Sequence, residues 1–187
     1  MRLLIMGAPG AGKGTQALRI SEMFSIPHIS TGDLFRDNVN RGTELGQLVQ
    51  GLMQRGEFVP DEVTTQMVRH RFEADDARQG FLLDGYPRTT GQVGDLDAIL
   101  AEQGVGLDGV LELTVDTEVV VKRLLARAAE QGRTDDTEEV IRHRQELYHQ
   151  QTEAVTALYE KRGQLVRVDG LGSVDEVATR VRTALGR

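Results

Sequence analysis

The chain has 187 residues, 39% of them apolar and 27% charged, a composition typical of one globular domain with a sizeable hydrophobic core. Collagen-like, disordered and disulfide-framework classes are therefore excluded. The formal net charge of −7 argues against a broad basic surface for nucleic acid or anionic membrane, so any polyanion must be bound locally.

Short apolar runs, bounded by turn residues, alternate along the chain with longer segments of helical spacing. We interpret each run as a buried strand: Leu3–Met6, His28–Ser30, Phe81–Leu83, Val110–Val115 and Leu165–Val168. Alternating strands and helices are typical of a parallel sheet covered on both faces. The sequence therefore predicts an α/β fold with a five-stranded parallel sheet flanked by helices.

One segment departs from this alternation, since the chain runs from Thr31 to Pro60 without a strand. It predicts two helices joined near Asn40-Arg41-Gly42. The second carries an apolar stripe, which we attribute to packing: Leu45, Leu48, Val49 and Leu52. A helical excursion of this kind inside an α/β domain is able to form a small mobile flap.

A glycine-rich loop follows the first strand and spans Gly7 to Thr15, GAPGAGKGT, with helical spacing resuming directly after it. Strand, glycine loop and helix is the context that a phosphate-binding loop requires. Glycines let successive N–H groups turn inward as an anion nest, and the helix adds its positive N-terminal end. Lys13 adds a point charge. Gly14 stands where the general pattern has Ser or Thr, and Thr15 supplies the hydroxyl one place later.

A second candidate anion contact lies on the segment Thr137–Lys161, which predicts one long helix. Arg144 is four residues after Val140 and four before Tyr148, so it lies on or beside the apolar stripe. A buried unpaired guanidinium is unfavourable, so Arg144 needs either a bound anion or a protein carboxylate. Both alternatives remain open on this argument.

Arg123 and Arg127 form a like-charged i, i+4 pair, which we place at the end of the helix after Asp116. Like charges at this spacing repel unless a negative group lies near them. The alternative explanation is that a helix C-terminus tolerates cations because of its dipole.

Cysteine is absent, which excludes thiol catalysis, disulfides and cysteine-ligated metal. The apolar stretch before Gly7 is too short for the core of a signal peptide, and no stretch is long enough to span a membrane. The four histidines are scattered, and we interpret them as surface or structural residues. We expect a soluble cytoplasmic protein.

Three motifs in the same order and at compatible distances resemble those of the adenylate kinase family. They are the Gly7–Thr15 loop, Ser30-Thr31-Gly32-Asp33-Leu34-Phe35-Arg36, and Asp84-Gly85-Tyr86-Pro87-Arg88. The likeness extends over almost the whole chain. It implies a single P-loop kinase domain over 1–187, with a core of 1–29, 60–125 and 137–187, a helical NMP-binding flap over 30–59 and a short lid over 126–136.

The resemblance implies phosphoryl transfer between ATP and AMP to give two ADP. Residues implied in catalysis are Lys13, Arg88, Arg127, Arg133 and Arg144. Residues implied in ATP binding are Gly10, Ala11, Gly12, Lys13, Gly14, Thr15, Arg123, Arg127 and Gly172. In this scheme Arg123 stacks on the donor adenine.

On the acceptor side, the resemblance implies that Thr31 and Gln92 contact the AMP base, where UMP/CMP kinases commonly have Ala and Asn. It also implies that Arg36 and Arg88 bind the phosphate of AMP. The remaining implied AMP contacts are Glu57, Phe58, Val59, Gly85, Tyr86, Pro87, Arg133 and Arg144.

The implied cofactor is Mg²⁺ with ATP, held through its waters near Asp84 and Thr15 without a direct protein ligand. Only five residues separate Arg127 from Arg133, and cysteine is absent, so we expect a short lid without zinc. The implied partners are ATP, AMP and ADP, without nucleic acid or membrane, and the implied state is a monomer.

Three alternatives stay open at this point. One is a nucleoside monophosphate kinase with another acceptor base. A second is a P-loop switch or NTPase, disfavoured because no Asn-Lys-x-Asp signature occurs. The third is a nucleotide-binding protein without catalysis.

Overall fold

A computed structural model of the chain describes residues 1–131 and 137–186, without the side chains of 127 and 129–131. These residues form five strands in one parallel sheet, as predicted. The strands are β1 (Arg2–Met6), β2 (His28–Ser30), β3 (Phe81–Asp84), β4 (Gly109–Thr114) and β5 (Leu165–Asp169). Their order is β2-β3-β1-β4-β5, so β1 lies at the centre.

Helices cover both faces of the sheet. They are α1 (Lys13–Phe24), α2 (Thr31–Asn40), α3 (Glu44–Arg55), α4 (Asp61–Phe72), α5 (Asp75–Arg78), α6 (Thr90–Glu102), α7 (Thr117–Gln131), α8 (Glu138–Leu147), α9 (Glu153–Lys161) and α10 (Val174–Ala184). None of the helices in the described part of the chain is long and apolar enough to cross a membrane.

The central strand supplies side chains to two separate cores. Leu4 and Met6 belong to the core that contains residues of α4, α6 and α9, whereas Leu3 and Ile5 belong to the core that contains residues of α1 and α10. Successive side chains of a strand point to opposite faces, so a continuous apolar run is what a strand covered on both sides needs.

The excursion after β2 consists of α2 and α3, as predicted, and has a small core of its own around Phe35, Val49 and Val59. The two helices pack closely because Gly46 lies against the backbone of Asn38, where a Cβ would be 2.1 Å from the carbonyl oxygen. Leu48 is 60% exposed, so the prediction that it belongs to the packing stripe is wrong.

The prediction that every strand is buried is wrong for β5. Val166, Arg167 and Asp169 are exposed and Val168 is buried, in one of the two edge strands of the sheet. Arg167 extends from this edge, where its guanidinium pairs with Glu112 at 2.9 Å and also with Glu160. An exposed charged side chain is a common way to protect an open sheet edge.

Two helices also differ from expectation. α7 continues to Gln131, so Arg123 lies in its middle, and the dipole explanation, which applies to the last turn, fails for that residue. The predicted helix from Thr137 to Lys161 is interrupted by a π-helical segment, Tyr148–Thr152, between α8 and α9. π segments are rare and frequently occur at functional sites.

The three tyrosines predict a loss of stability at alkaline pH. Burial raises the pKa of Tyr86 to about 12 from its ordinary 10.0, and burial raises the pKa of Tyr148 and Tyr159 as well. The folded state keeps these protons where the unfolded chain loses them. Ionisation of the tyrosines therefore leaves the free energy of unfolding unaffected below about pH 10. Above pH 10 this free energy falls as the pH rises towards 12, by on the order of 2 kcal/mol for Tyr86.

Urea unfolding at a series of pH values measures this loss. The Tyr86→Phe variant has no phenol to ionise at this position, so its stability declines less steeply between pH 10 and 12 than that of the parent chain. Identical slopes for parent and variant would contradict the assignment.

Candidate functional site

Three turns meet at the carboxyl edge of the sheet. The glycine loop leaves β1, the Asp84–Gly85 turn leaves β3, and α2 begins directly after β2. Because these strands are adjacent and parallel, their carboxyl ends open on one side. They border a cavity of about 670 Å³ that residues of the excursion and of α8 also line.

The glycine loop has the backbone geometry of an anion nest. Gly10 has φ +89° and Gly12, which precedes α1, has φ +96°, both in the region that favours glycine. A Cβ at Gly10 would lie 2.7 Å from Leu124, so this glycine also permits close packing on α7. Loop residues that line the cavity are Pro9, Gly10, Gly12, Lys13, Gly14 and Thr15.

Lys13 lies over the loop that it follows. Its Nζ donates hydrogen bonds to the carbonyl oxygens of Gly7 at 2.8 Å and Ala8 at 3.1 Å. These bonds hold the ammonium group beside the nest. Ala11 is buried and is absent from the cavity lining, so its predicted ATP contact has no geometric support and stays a prediction.

Arg88 is held in the cavity lining by two contacts of its guanidinium group. Its Nε donates to the carbonyl oxygen of Gly85 at 2.8 Å, and its guanidinium carbon lies 5.0 Å from the ring centre of Phe58. Burial lowers the pKa of Arg88; Asp84 raises it, and the charges of Arg144 and Arg36 lower it further. Since a guanidinium keeps its proton, this is an arrangement of repelling cations that an anion stabilises.

Arg144 and Arg36 reach the same cavity from opposite sides. The Nη2 of Arg144 donates to the carbonyl oxygen of Met53 at 3.1 Å, which connects α8 to the end of α3. Arg36 is hydrogen-bonded to Asp33. Burial raises the pKa of that carboxyl, but the hydrogen bond and charge of Arg36 outweigh burial and hold the pKa below its usual value.

The two acceptor-base residues predicted from sequence both line the cavity. Thr31 is buried, and its hydroxyl donates to the carbonyl oxygen of Asp84 at 3.4 Å. Gln92 is 3% exposed, and its Oε1 accepts from the backbone N–H of Arg88 at 2.7 Å. The predicted residues Glu57, Phe58, Val59 and Gly85 also line this cavity, while Tyr86 and Pro87 line a smaller cavity beneath it.

Asp84 and Thr15 both line the cavity, at the end of β3 and the start of α1. One carboxylate and one hydroxyl fit a hydrated Mg²⁺, which keeps several waters and takes few protein ligands. His28 lies 3.5 Å from the Asp84 carboxylate on the side of β2. Among residues 1–131 and 137–186, no group of three or more metal-ligating side chains occurs.

Of the predicted ATP contacts Arg123 and Gly172, only Arg123 lines the cavity. Arg123 lines the cavity, and its Nη2 donates to the carbonyl oxygen of Gly170 at 3.1 Å. Gly172 is not among the lining residues. It precedes α10, where a Cβ would lie 2.7 Å from Glu176, a residue that caps this helix with Ser173. Its predicted role has no geometric support and stays a prediction.

Two predicted lid residues lie outside the described set. The backbone of Arg127 belongs to α7, but its side chain is not described, and Arg133 lies in the segment 132–136. The predicted lid thus begins within α7, since 126–131 continue that helix.

Sequence reasoning missed two buried residues that support the site. The Nε2 of Gln145 donates to the carbonyl oxygen of Pro9 at 2.9 Å and so connects α8 to the glycine loop. Thr152, in the π-helical segment, donates to the carbonyl oxygen of Arg88 at 3.2 Å. A polar residue on an otherwise apolar helix face was the available signal, but it does not name its partner.

Comparison with known proteins agrees with this geometry. The family model described as adenylate kinase matches residues 5–164. A protein of Kocuria rhizophila named adenylate kinase is 59% identical and spans 100% of this chain and 99% of its own. Proteins with the same name from Pseudarthrobacter chlorophenolicus and Clavibacter michiganensis are 58% and 57% identical, each over 98% of this chain and over 96% and 92% of their own. The chain therefore belongs to the adenylate kinase family.

Proposed function

We propose that this chain catalyses the reversible transfer of a phosphoryl group from ATP to AMP, which yields two ADP and maintains the adenine nucleotide pool. It is a nucleoside monophosphate kinase of the adenylate kinase family. The family resemblance further supports a cytoplasmic monomer that binds no nucleic acid or membrane.

The observation that carries this function is the convergence of three guanidinium groups on the cavity that the glycine loop borders. Arg36, Arg88 and Arg144 come from three distant segments, and the positive charges of the other two lower the pKa of Arg88. A phosphate between them relieves this repulsion. Phosphoryl transfer requires two phosphates held in line and little acid–base chemistry, which this set of residues can supply.

The two ends of the cavity suit two nucleotides. At one end the loop amides, Lys13 and Arg123 would bind the donor triphosphate. At the other end Thr31 and Gln92 would contact the acceptor base, while Arg36 and Arg88 hold its phosphate. Arg127 and Arg133 would complete the charge stabilisation when the flap (30–59) and the lid (126–136) close and exclude water.

Mg²⁺ supplied with ATP neutralises charge on the donor phosphates. Asp84 would hold a water of that ion, and the hydroxyl of Thr15 would lie near it. Because both groups line the cavity beside the loop, they need no rearrangement of the strands to do so.

A panel of acceptors tests the function. Supplied with ATP and Mg²⁺, the chain is expected to form diphosphate readily with AMP and far less with CMP, UMP or GMP, because Thr31 and Gln92 would contact an adenine base. Coupled measurement of diphosphate gives the rates. ATP hydrolysis that is independent of any monophosphate would contradict the proposal.

Replacement of Arg88 tests the role of the charge cluster. Arg88→Ala is expected to lower the rate of ADP formation by about a hundred-fold or more, as for other preorganised charge-stabilising donors. Arg41→Ala is the matched control, since Arg41 forms a surface pair with Asp37 and does not line the cavity. If Arg88→Ala forms ADP at a rate within a few-fold of the parent, and thermal unfolding shows an intact fold, the proposed role of Arg88 is wrong.

Replacement of Gly10 tests the loop. Gly10→Ala forces a side chain into positive φ and against Leu124, so ATP affinity is expected to fall by about ten-fold in calorimetric titration. Gly94→Ala is the control, because this exposed glycine of α6 has open space around it. Equal affinities in the two variants would contradict the proposed nest geometry.

A further inference from the structure

Asp61, the first residue of α4, lies against the predicted base-binding residues although it belongs to none of the motifs. Its Oδ1 accepts a hydrogen bond from Nε2 of Gln92 at 2.7 Å, and its Oδ2 accepts one from the hydroxyl of Thr89 at 2.6 Å. Thr89 in turn caps α6 by accepting from the backbone N–H of Gln92 at 3.2 Å. Asp61 is thus hydrogen-bonded to the N-terminal end of α6, the helix that carries Gln92.

These contacts determine which way round the Gln92 amide lies. Its Oε1 faces the backbone N–H of Arg88, which can only donate, and its Nε2 faces the Asp61 carboxylate, which can only accept. The opposite orientation would set N–H against N–H and oxygen against carboxylate. Gln92 is 3% exposed, so water has little access to compensate for such a mismatch.

The orientation matters because the two ends of an amide have opposite hydrogen-bonding character. After these two bonds the amide retains one N–H donor and one lone pair on its oxygen. A 6-amino purine offers a ring acceptor beside an exocyclic donor and matches this pattern. A 6-oxo purine offers a ring donor beside an exocyclic acceptor, and would need the amide turned over.

We propose that Asp61 is a specificity-determining positioning residue, which holds the Gln92 amide in the orientation that selects 6-amino over 6-oxo purine monophosphates. The inference rests on the proposed function, in which Gln92 contacts the acceptor base. Part of the discrimination arises from a mismatch with the 6-oxo purine. The fixed amide would set its N–H against the ring donor of that base and its oxygen against the exocyclic acceptor. Asp61 itself does not touch the substrate.

AMP and IMP provide a matched pair of acceptors, since they share the purine size, ribose and phosphate and differ at the 6-position and the adjacent ring nitrogen. Asp61→Leu removes both acceptor oxygens at similar size. The ratio of kcat/KM for AMP to that for IMP is expected to fall by about ten-fold or more, mostly through KM, because a bond to a charged group is lost. Calorimetric titration without ATP is expected to show the same fall in the ratio of affinities.

Two further variants distinguish loss of the Gln92 amide orientation from a general effect on the fold. Asp61→Asn keeps an acceptor oxygen for Nε2 of Gln92 and is expected to retain most of the selectivity. Glu62→Leu removes a neighbouring acidic residue from the same first turn of α4, but Glu62 is exposed and outside the cavity lining, so the ratio is expected to stay unchanged. If Asp61→Leu does not fold, Asp61→Ala removes the same oxygens with less bulk and must show the same fall.

The outcomes distinguish this inference from the proposed function. If the parent forms no ADP from ATP and AMP, the proposed function itself is wrong. If the parent is active but Asp61→Leu loses rate with AMP and IMP by the same factor, Asp61 has only a structural role and the inference is overturned. The same conclusion follows if Asp61→Asn loses more selectivity than Asp61→Leu.

Discussion

Parallel pairing of β2, β3 and β1 is the constraint on which the site depends. Each strand points its carboxyl end the same way, so three turns that are distant in sequence open on one cavity. Register adds precision, because Asp84 pairs with Ser30 on one side and Ile5 on the other. The carboxylate therefore lies between the start of α2 and the strand that leads into the glycine loop. No side-chain contact across the cavity is needed to bring these groups together.

The helices that carry the arginines are attached to this edge by a second set of bonds. Gln145 connects α8 to the glycine loop, Thr152 connects the π-helical segment to the backbone of Arg88, and Arg144 reaches the end of α3. Backbone carbonyl oxygens accept all three bonds. Such contacts fix the positions of Arg88 and Arg144 at the cavity, as a preorganised site requires.

Much of the scaffold was predictable, because buried parallel strands are short apolar runs and a glycine loop between strand and helix has a single common purpose. The exposure of β5 was not predictable, because its apolar content is similar to that of the buried strands. Its exposure depends on which elements pack beside it. The good helix formers after Arg127 favour the extension of α7 to Gln131, but the family resemblance implied a lid over 126–136. Partners such as Asp61 and Gln92, or Gln145 and Pro9, are far apart in sequence, and their pairing depends on how whole helices pack.

The preference of the cavity for arginine has a consequence for acidity. Burial and neighbouring like charges both favour the neutral form of a cationic group, so a lysine in the place of Arg88 would lose its proton more readily than one in water. The guanidinium of Arg88 holds its proton far more strongly than an amine does, so the same surroundings lower its pKa without discharging it. The charge that Arg36, Arg88 and Arg144 present to an anion should accordingly stay constant over the physiological pH range. The acidity of the nucleotide phosphates, rather than that of these three arginines, would then govern how this contact responds to the pH of the cell.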